Sequence, residues 1–243
     1  MSPLTSSTPQ PAAVVYPDSD GQPVADNTEQ MDFIILVKSN LDALLPDFVA
    51  GDHLWYPVEG DPKTRVAPDV YVALGRPKGH RGSYKQWEEA GVAPQVVFEW
   101  WSPGNGFVEQ LRKLQFYSDH GVVEYFTFDQ LRRSLGAFRR TPTGLEPVPV
   151  EGGVESSLLG VRFDCINGDF KAWDAEGNPF LTVSELKERV ARSESARQEA
   201  ESARQEAESA RQEAESALRR AQAEAAVLRD KLVALGLDPA SLS

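Results

Sequence analysis

Two carboxylates frame the chemistry open to this chain. Asp69 stands at the entrance of the run Pro68-Asp69-Val70-Tyr71-Val72-Ala73-Leu74, and Glu99 is the only charge in the run Gln95-Val96-Val97-Phe98-Glu99-Trp100-Trp101-Ser102-Pro103. Both runs have the length and the branched and aromatic content of short strands. A carboxylate inside an apolar strand is costly to bury unless a cation or hydrogen bonds satisfy it. Two of them on strands that can pair suit a hard, oxygen-preferring cation such as Mg²⁺ or Mn²⁺, and the backbone carbonyl of Trp100 can add a further oxygen. Taken singly, Asp69 also reads as an ordinary turn or cap residue. Glu99 is harder to explain without a function.

The elements that must position this pair follow in order. Ser102-Pro103-Gly104-Asn105-Gly106 is a turn, and it leads into a helix from about Phe107 to His120 with Gly121 as a natural C-terminal cap. Glu109 and Lys113 are four apart and share one face, with Tyr117 one turn further. Val122 to Asp129 forms a third strand, so strand, helix and strand make a βαβ-like crossover on a mixed sheet. Three carboxylates and one ammonium (Asp69, Glu99, Glu109, Lys113) then converge. Phosphodiester hydrolysis calls for such a set: a metal to polarise the phosphoryl oxygen and acidify water, and a cation near the developing charge. Asp69 and Glu99 hold the metal in this reading, and Lys113 orients or activates the attacking water. Strand alternation places one of Trp100 and Trp101 in the core, while the other is open to stacking on a base.

Around this centre the chain divides by composition. Residues 1–26 are rich in Pro, Ser, Thr, Gln and Asp and read as a disordered arm. Residues 27–182 form the folded domain, opening with an apolar helical pattern from Thr28 to Leu45 that Pro46 stops. From Ser134 to Phe180 come short strands with turn signals, including a hairpin around Gly168-Asp169. Residues 183–236 are a continuous helix or coiled coil: Ser-Ala-Arg-Gln-Glu-Ala-Glu begins at Ser195, Ser202 and Ser209, and its alanines fall in the alternating four-three spacing of a seam. An alanine seam buries little, so Leu228, Leu232 and Leu235 supply most of any self-association through 195–235. Gly236 and Pro239 end the helix, and 237–243 is the C-terminal end.

The formal net charge is −12, with ten Lys/Arg against twelve Asp/Glu beyond residue 182, so −10 of it lies in the rest. That balance opposes non-specific nucleic-acid binding, which rests on phosphate neutralisation. Two local basic groups, Arg76/Lys78/Arg81/Lys85 and Arg132/Arg133/Arg139/Arg140, are the available footprints, or simply solvated loop charges. No apolar stretch is long enough for a transmembrane helix and no signal peptide is visible. One cysteine, Cys165, excludes an internal disulfide framework and fits a cytoplasmic protein.

Pro68-Asp69-Val70, then Val96-Val97-Phe98-Glu99-Trp100-Trp101-Ser102-Pro103, then Lys113-Leu114 with Tyr117, Gly121-Val122, Glu124-Tyr125 and Asp129, resembles the Uma2-type restriction endonucleases over roughly residues 28–180. The resemblance implies a PD-(D/E)XK nuclease-like, restriction-endonuclease-like α/β fold: a mixed β-sheet flanked by helices, here with a long C-terminal helix or coiled coil. It implies Mg²⁺- or Mn²⁺-dependent cleavage of DNA, with Asp69 and Glu99 as metal ligands. Lys113 is the lysine, carried on the helix rather than two residues after the glutamate, where this chain has Trp101. Glu109 stands where many relatives have aspartate. The superfamily often adds an acid from the first helix, for which Glu29 and then Asp32 are the candidates. The competing readings are a catalytically degenerate nuclease fold that binds a partner and assembles through its tail, and a hydrolase of small phosphorylated substrates.

Overall fold

A computed structural model describes residues 14–234. The expectations placed on residues 1–13, on Leu235, on the stop at Gly236 and Pro239, and on the end at 237–243 lie outside the described residues.

In chain order the elements are α1 (Thr28–Leu44), β1 (Asp47–Gly51), β2 (Trp55–Tyr56), β3 (Val70–Pro77), β4 (Tyr84–Lys85), β5 (Val96–Trp101), α2 (Phe107–Asp119), β6 (Glu124–Asp129), β7 (Ser134–Thr141), β8 (Gly144–Pro147), β9 (Val154–Glu155), β10 (Arg162–Ile166), β11 (Asp169–Trp173) and α3 (Val183–Ala234). Six strands form one mixed sheet in the order β1-β3-β5-β6-β7-β8. In this sheet only β5 and β6 run parallel, joined by α2 as the crossover, and its other pairs are antiparallel. A three-stranded sheet, β11-β10-β9, and a small β2-β4 pair complete the domain.

Alternation along the strands decides which side chains meet. Val49, Val70, Val72, Phe98 and Trp100 point to one face, where Phe33, Ile34, Val37 and Leu41 of α1 and Phe163 of β10 cover them. These α1 residues recur at helical spacing, and Asn27 caps the helix by accepting from Gln30 N at 3.0 Å. Phe48, Ala50, Tyr71, Val97 and Trp101 point to the other face, against Tyr117 of α2 and the Trp55 and Tyr84 rings. Every residue of β5 is buried, as expected of a central strand covered on both sides. Trp100 and Trp101 therefore both pack inside, one on each face. At the β10–β11 turn, Asn167 (φ 54°) and Gly168 (φ 85°) adopt the left-handed pair of a type I′ hairpin.

Residues 14–26 carry no helix or strand, yet they are tied to the domain rather than free. Tyr16 packs on the Tyr56 and Trp87 rings, Tyr56 Oη donates to Pro17 O at 2.6 Å, and Ser83 and Ser102 donate to Asp18 and Asp26. A composition read as disorder conceals a single aromatic anchor. The chain splits into two compact units at Thr182/Val183. In the second, α3 spans 52 residues with no buried side chain, and ion pairs such as Arg211–Glu215 (3.1 Å) lie along its surface.

Glu124 shows that not every buried carboxylate here serves chemistry. It is fully buried at the start of β6, where it accepts from Ser156 Oγ, from Ser157 N at 2.9 Å and from Ser157 Oγ at 2.6 Å, tying the main sheet to the segment before β10. Glu124→Ala strands these donors, so it should cost about 2–4 kcal/mol in urea unfolding; a loss below about 0.5 kcal/mol would show that the serines find other partners.

Candidate active site

Strand register builds the site. Gly51 pairs with Val70, and Val70 with Phe98, so the next rung outward brings Asp52, Asp69 and Glu99 onto three neighbouring strands where the β3 ladder begins. Residues opposite one another across strands project to the same face. Asp52 N donates to Asp69 O at 3.1 Å, and the Asp69 carboxylate accepts from Trp100 N at 2.6 Å, standing in for a ladder carbonyl at the point where the strands part. Its other oxygen accepts from Gln30 Nε2 at 2.9 Å.

Glu99 is 1% exposed and is held from both sides. Lys113 Nζ reaches Glu99 Oε2 at 2.8 Å, and Tyr117 Oη donates to Glu99 Oε1. Both partners come from α2, one turn apart, so a single helical face delivers them. The Lys113 ammonium also lies 5.4 Å from the centre of the Trp101 ring. Glu109, in the first turn of α2, is exposed; it accepts from Asn105 Nδ2 at 3.3 Å and adds negative charge near Lys113 without touching Glu99 or Asp69.

The electrostatics follow from this crowding. Burial, then the charge of Glu99, pushes the Asp69 carboxyl up to about 8, against the pull of Lys113, Trp100 N–H and Gln30. Burial also opposes charge on Lys113, but Glu99 and Asp69 outweigh it and hold the ammonium above its ordinary range. Tyr117 is held well above the ordinary phenol range by burial and by Glu99, so it stays a donor. Asp52 is raised to about 6, chiefly by burial and then by Asp20, with Lys113 pulling it back.

Thus Asp69, Glu99, Lys113 and Tyr117 come together, with Glu109 at the rim. Glu29 and Asp32, the first-helix acids expected beside them, are not there: Glu29 pairs with Arg133 at 3.0 Å on an exposed surface, and neither acts on Asp69. The α1 residue that reaches Asp69 is Gln30, which lies on the same helical stripe as Phe33, Ile34, Val37 and Leu41 while Glu29 and Asp32 fall off it. A polar residue in an apolar stripe is the same signal that marks Glu99 in its strand. Asp52 had no such signal, because its place depends on the β1–β3 register.

Among the described residues, no group of three or more His, Cys, Asp or Glu side chains is arranged to hold a metal ion. The donor types nonetheless fit a hard divalent cation. Two adjacent carboxylates and an amide are oxygen donors, and Mg²⁺ is commonly held by one or two carboxylates with the rest of its shell from water and substrate phosphate. Both basic groups are engaged elsewhere. Arg81 forks onto Glu89, Lys78 pairs with Asp42, Lys85 with Glu88 and Arg132 with Asp129, and Arg140 donates to the carbonyls of Ser118 and Val122.

A family model described as "Uma2: Putative restriction endonuclease" matches residues 30–165. A solved structure from Anabaena variabilis ATCC 29413, titled a "putative nuclease belonging to DUF820", is similar at 14% identity and a TM-score of 0.39, covering 53% of this chain and 70% of that one. No curated protein matches.

Because the Asp69 carboxyl is raised from 3.8 to about 8 in the fold, the folded state resists an ionisation that the unfolded chain accepts. This contribution to metal-free stability is full below pH 3.8 and is lost as pH rises towards 8. Thermal unfolding in chelator should show a decline on the order of a few kcal/mol across that window. Asp69→Asn should flatten it, and parallel profiles for the two proteins would count against this assignment.

Proposed function

The chain belongs to the Uma2 family, and from that premise we propose that it is a divalent-metal-dependent endonuclease that hydrolyses phosphodiester bonds of DNA in the cytoplasm. The observation that carries this reading is the single rung holding Asp69 beside Glu99, with Lys113 on Glu99 at 2.8 Å. Asp69 and Glu99, with the Gln30 amide oxygen and the Trp100 carbonyl, are the groups that would hold Mg²⁺ or Mn²⁺. When bound, such a cation supplies Lewis-acid polarisation of the phosphoryl group and lowers the pKa of water.

The chain's own groups do the rest. Lys113, kept charged by its neighbours, donates hydrogen bonds to the entering water or to a non-bridging phosphate oxygen as negative charge develops. Tyr117 holds Glu99 from its far side and fixes the carboxylate's orientation. Glu109 faces the entrance and adds to the field that keeps Lys113 an ammonium. In a plasmid-nicking assay with Mn²⁺, Asp69→Asn, Glu99→Gln and Lys113→Met should each slow cutting at least about 100-fold, and Tyr117→Phe about 10-fold. Cutting that survives in both Glu99→Gln and Lys113→Met would remove the assigned roles.

One observation favours a second reading. Several of the domain's basic side chains sit in ion pairs, Arg81 with Glu89, Lys78 with Asp42 and Arg132 with Asp129 among them, which reduces the positive charge offered to a phosphate backbone and suits a degenerate nuclease fold that binds a partner. Binding of Mn²⁺ without any nicking by the wild-type protein would select this reading.

In either case we assign self-association to residues 195–235, where Leu228 and Leu232 follow the alanine seam. Sedimentation should give the full chain a multiple of the monomer mass and a chain ending at Thr182 the monomer mass; two monomers would end the assignment.

A further inference from the structure

The segment Tyr16–Asp26 is held at both ends and exposed between them. At one end Tyr16 lies 5.2 Å from the Tyr56 ring and 4.9 Å from Trp87, its hydroxyl accepts from Gly60 N at 2.5 Å, and Asp18 Oδ1 accepts from Ser83 Oγ at 2.9 Å. Gly82 makes room for this contact, since a Cβ there would stand 2.3 Å from Asp18 Oδ2. At the other end Asp26 Oδ2 accepts from Ser102 Oγ at 2.6 Å, in the turn that follows the Glu99 strand. Between the two ties run Asp20, whose charge bears on Asp52, and Gln22 and Pro23, which form one wall of a cleft whose other wall includes Asn105 and Glu109. The segment thus crosses the edge of the site, with Asp20 acting on Asp52 and Asp26 tied to the turn after the Glu99 strand.

Its last residue also acts on the site directly. Asp26 N donates to Gln30 Oε1 at 2.8 Å, and Gln30 Nε2 donates to Asp69 Oδ1 at 2.9 Å. These two bonds fix the amide one way round. The reverse orientation would set the amide NH₂ against the Asp26 N–H, and the hydrogen bond to Asp26 N would be lost. A cation that takes Gln30 as a ligand beside Asp69 needs the opposite: the amide oxygen towards it and the NH₂ turned away. Gln30 cannot serve the Asp26 amide and such a cation with the same oxygen.

We propose that Tyr16–Asp26 is an autoinhibitory strap that holds Gln30 in the orientation that refuses a cation, so that divalent-metal binding at Asp69 and release of the strap are coupled through the Gln30 amide. The inference rests on the proposed function and names the regulation of that same site. The coupling is reciprocal: metal loosens the strap, and a loosened strap tightens metal. The strap also sets the charge of Asp20 beside Asp52 and the Asp26 carboxylate beside Ser102, which disfavours an anionic phosphate there while the strap is in place. Few buried contacts hold the middle of the strap, which places it among the parts of the fold that open most readily.

Two measurements on the full-length protein test this without requiring cleavage. Hydrogen exchange followed by mass spectrometry should show peptides covering 16–26 exchanging faster in Mn²⁺ than in chelator. In calorimetric titration, Tyr16→Ala/Gly82→Ala, which removes the anchor and evicts Asp18 without touching the site, should bind Mn²⁺ about fivefold more tightly than wild type, the equivalent of one hydrogen bond of about 1 kcal/mol. Equal affinities, or exchange of 16–26 indifferent to Mn²⁺, would overturn the strap while leaving nicking by the wild type to support the nuclease. Tighter Mn²⁺ binding with no nicking by either protein would keep the strap and remove the nuclease. No Mn²⁺ binding by either protein would overturn both.

Discussion

Two carboxylates that share one rung at the end of a buried pair of central strands must be compensated, and much of the domain is arranged around that requirement. Glu99 is met by an ammonium and a phenol from one face of α2, and Asp69 by a strand N–H and an amide from α1. Remove either helix and a carboxylate is left buried without partners, at a cost of several kcal/mol. The parallel β5–β6 crossover serves this arrangement, because it returns the chain through α2 directly over the end of the strand that carries Glu99. Its neighbours on the other face, Phe98 and Trp100, do ordinary packing work against α1 and β10.

Compensation is incomplete by design of the geometry. Lys113 settles on Glu99, and Asp69 receives only neutral donors, so the pair divides into one carboxylate with a direct cation and one without. The raised Asp69 pKa is the consequence of burial first and of Glu99 second. The second cause is a neighbouring negative charge, which a cation set between the two carboxylates would act on directly. Glu124 makes the contrast: equally buried, it collects two serine hydroxyls and a backbone N–H, with the Arg139 guanidinium at 3.5 Å, and serves to tie the main sheet to the segment before β10.

What could be read from the sequence follows the range of the forces involved. Asp69, Glu99, Lys113 and Tyr117 are legible because each rests on local pattern: a lone charge in an apolar strand, or an i, i+4 pair on one helix. The β5–α2–β6 crossover and the β10–β11 hairpin are legible for the same reason, from periodicity and from Asn167-Gly168. Gln30 is half legible, since its place on the apolar stripe of α1 shows in the sequence but its reach to Asp69 does not. Asp52 is not legible at all, because only the β1–β3 register places it. The segment 14–26 looks like disorder by composition, and a single ring, Tyr16, reverses that outcome through contacts with Tyr56 and Trp87, far along the chain.

The same distinction explains why the chain's acidity and its functional reading are compatible. A surface of −10 outside the tail repels a nucleic acid when averaged over the domain, yet part of that charge, on Asp20 and Asp26, stands near the site on a segment anchored at its ends. Charge that can move with its segment is not a fixed barrier. When it swings away, the site loses the charge of Asp20 that bears on Asp52 and the Asp26 carboxylate beside Ser102. The basic side chains locked in pairs with Glu89, Asp42 and Glu88 do not change in that motion, so the gain in favourable potential is confined to the site itself. A domain built this way would draw a phosphate group to the Asp69–Glu99 rung rather than to its surface at large, and its affinity for long nucleic acid would be set by that one contact region.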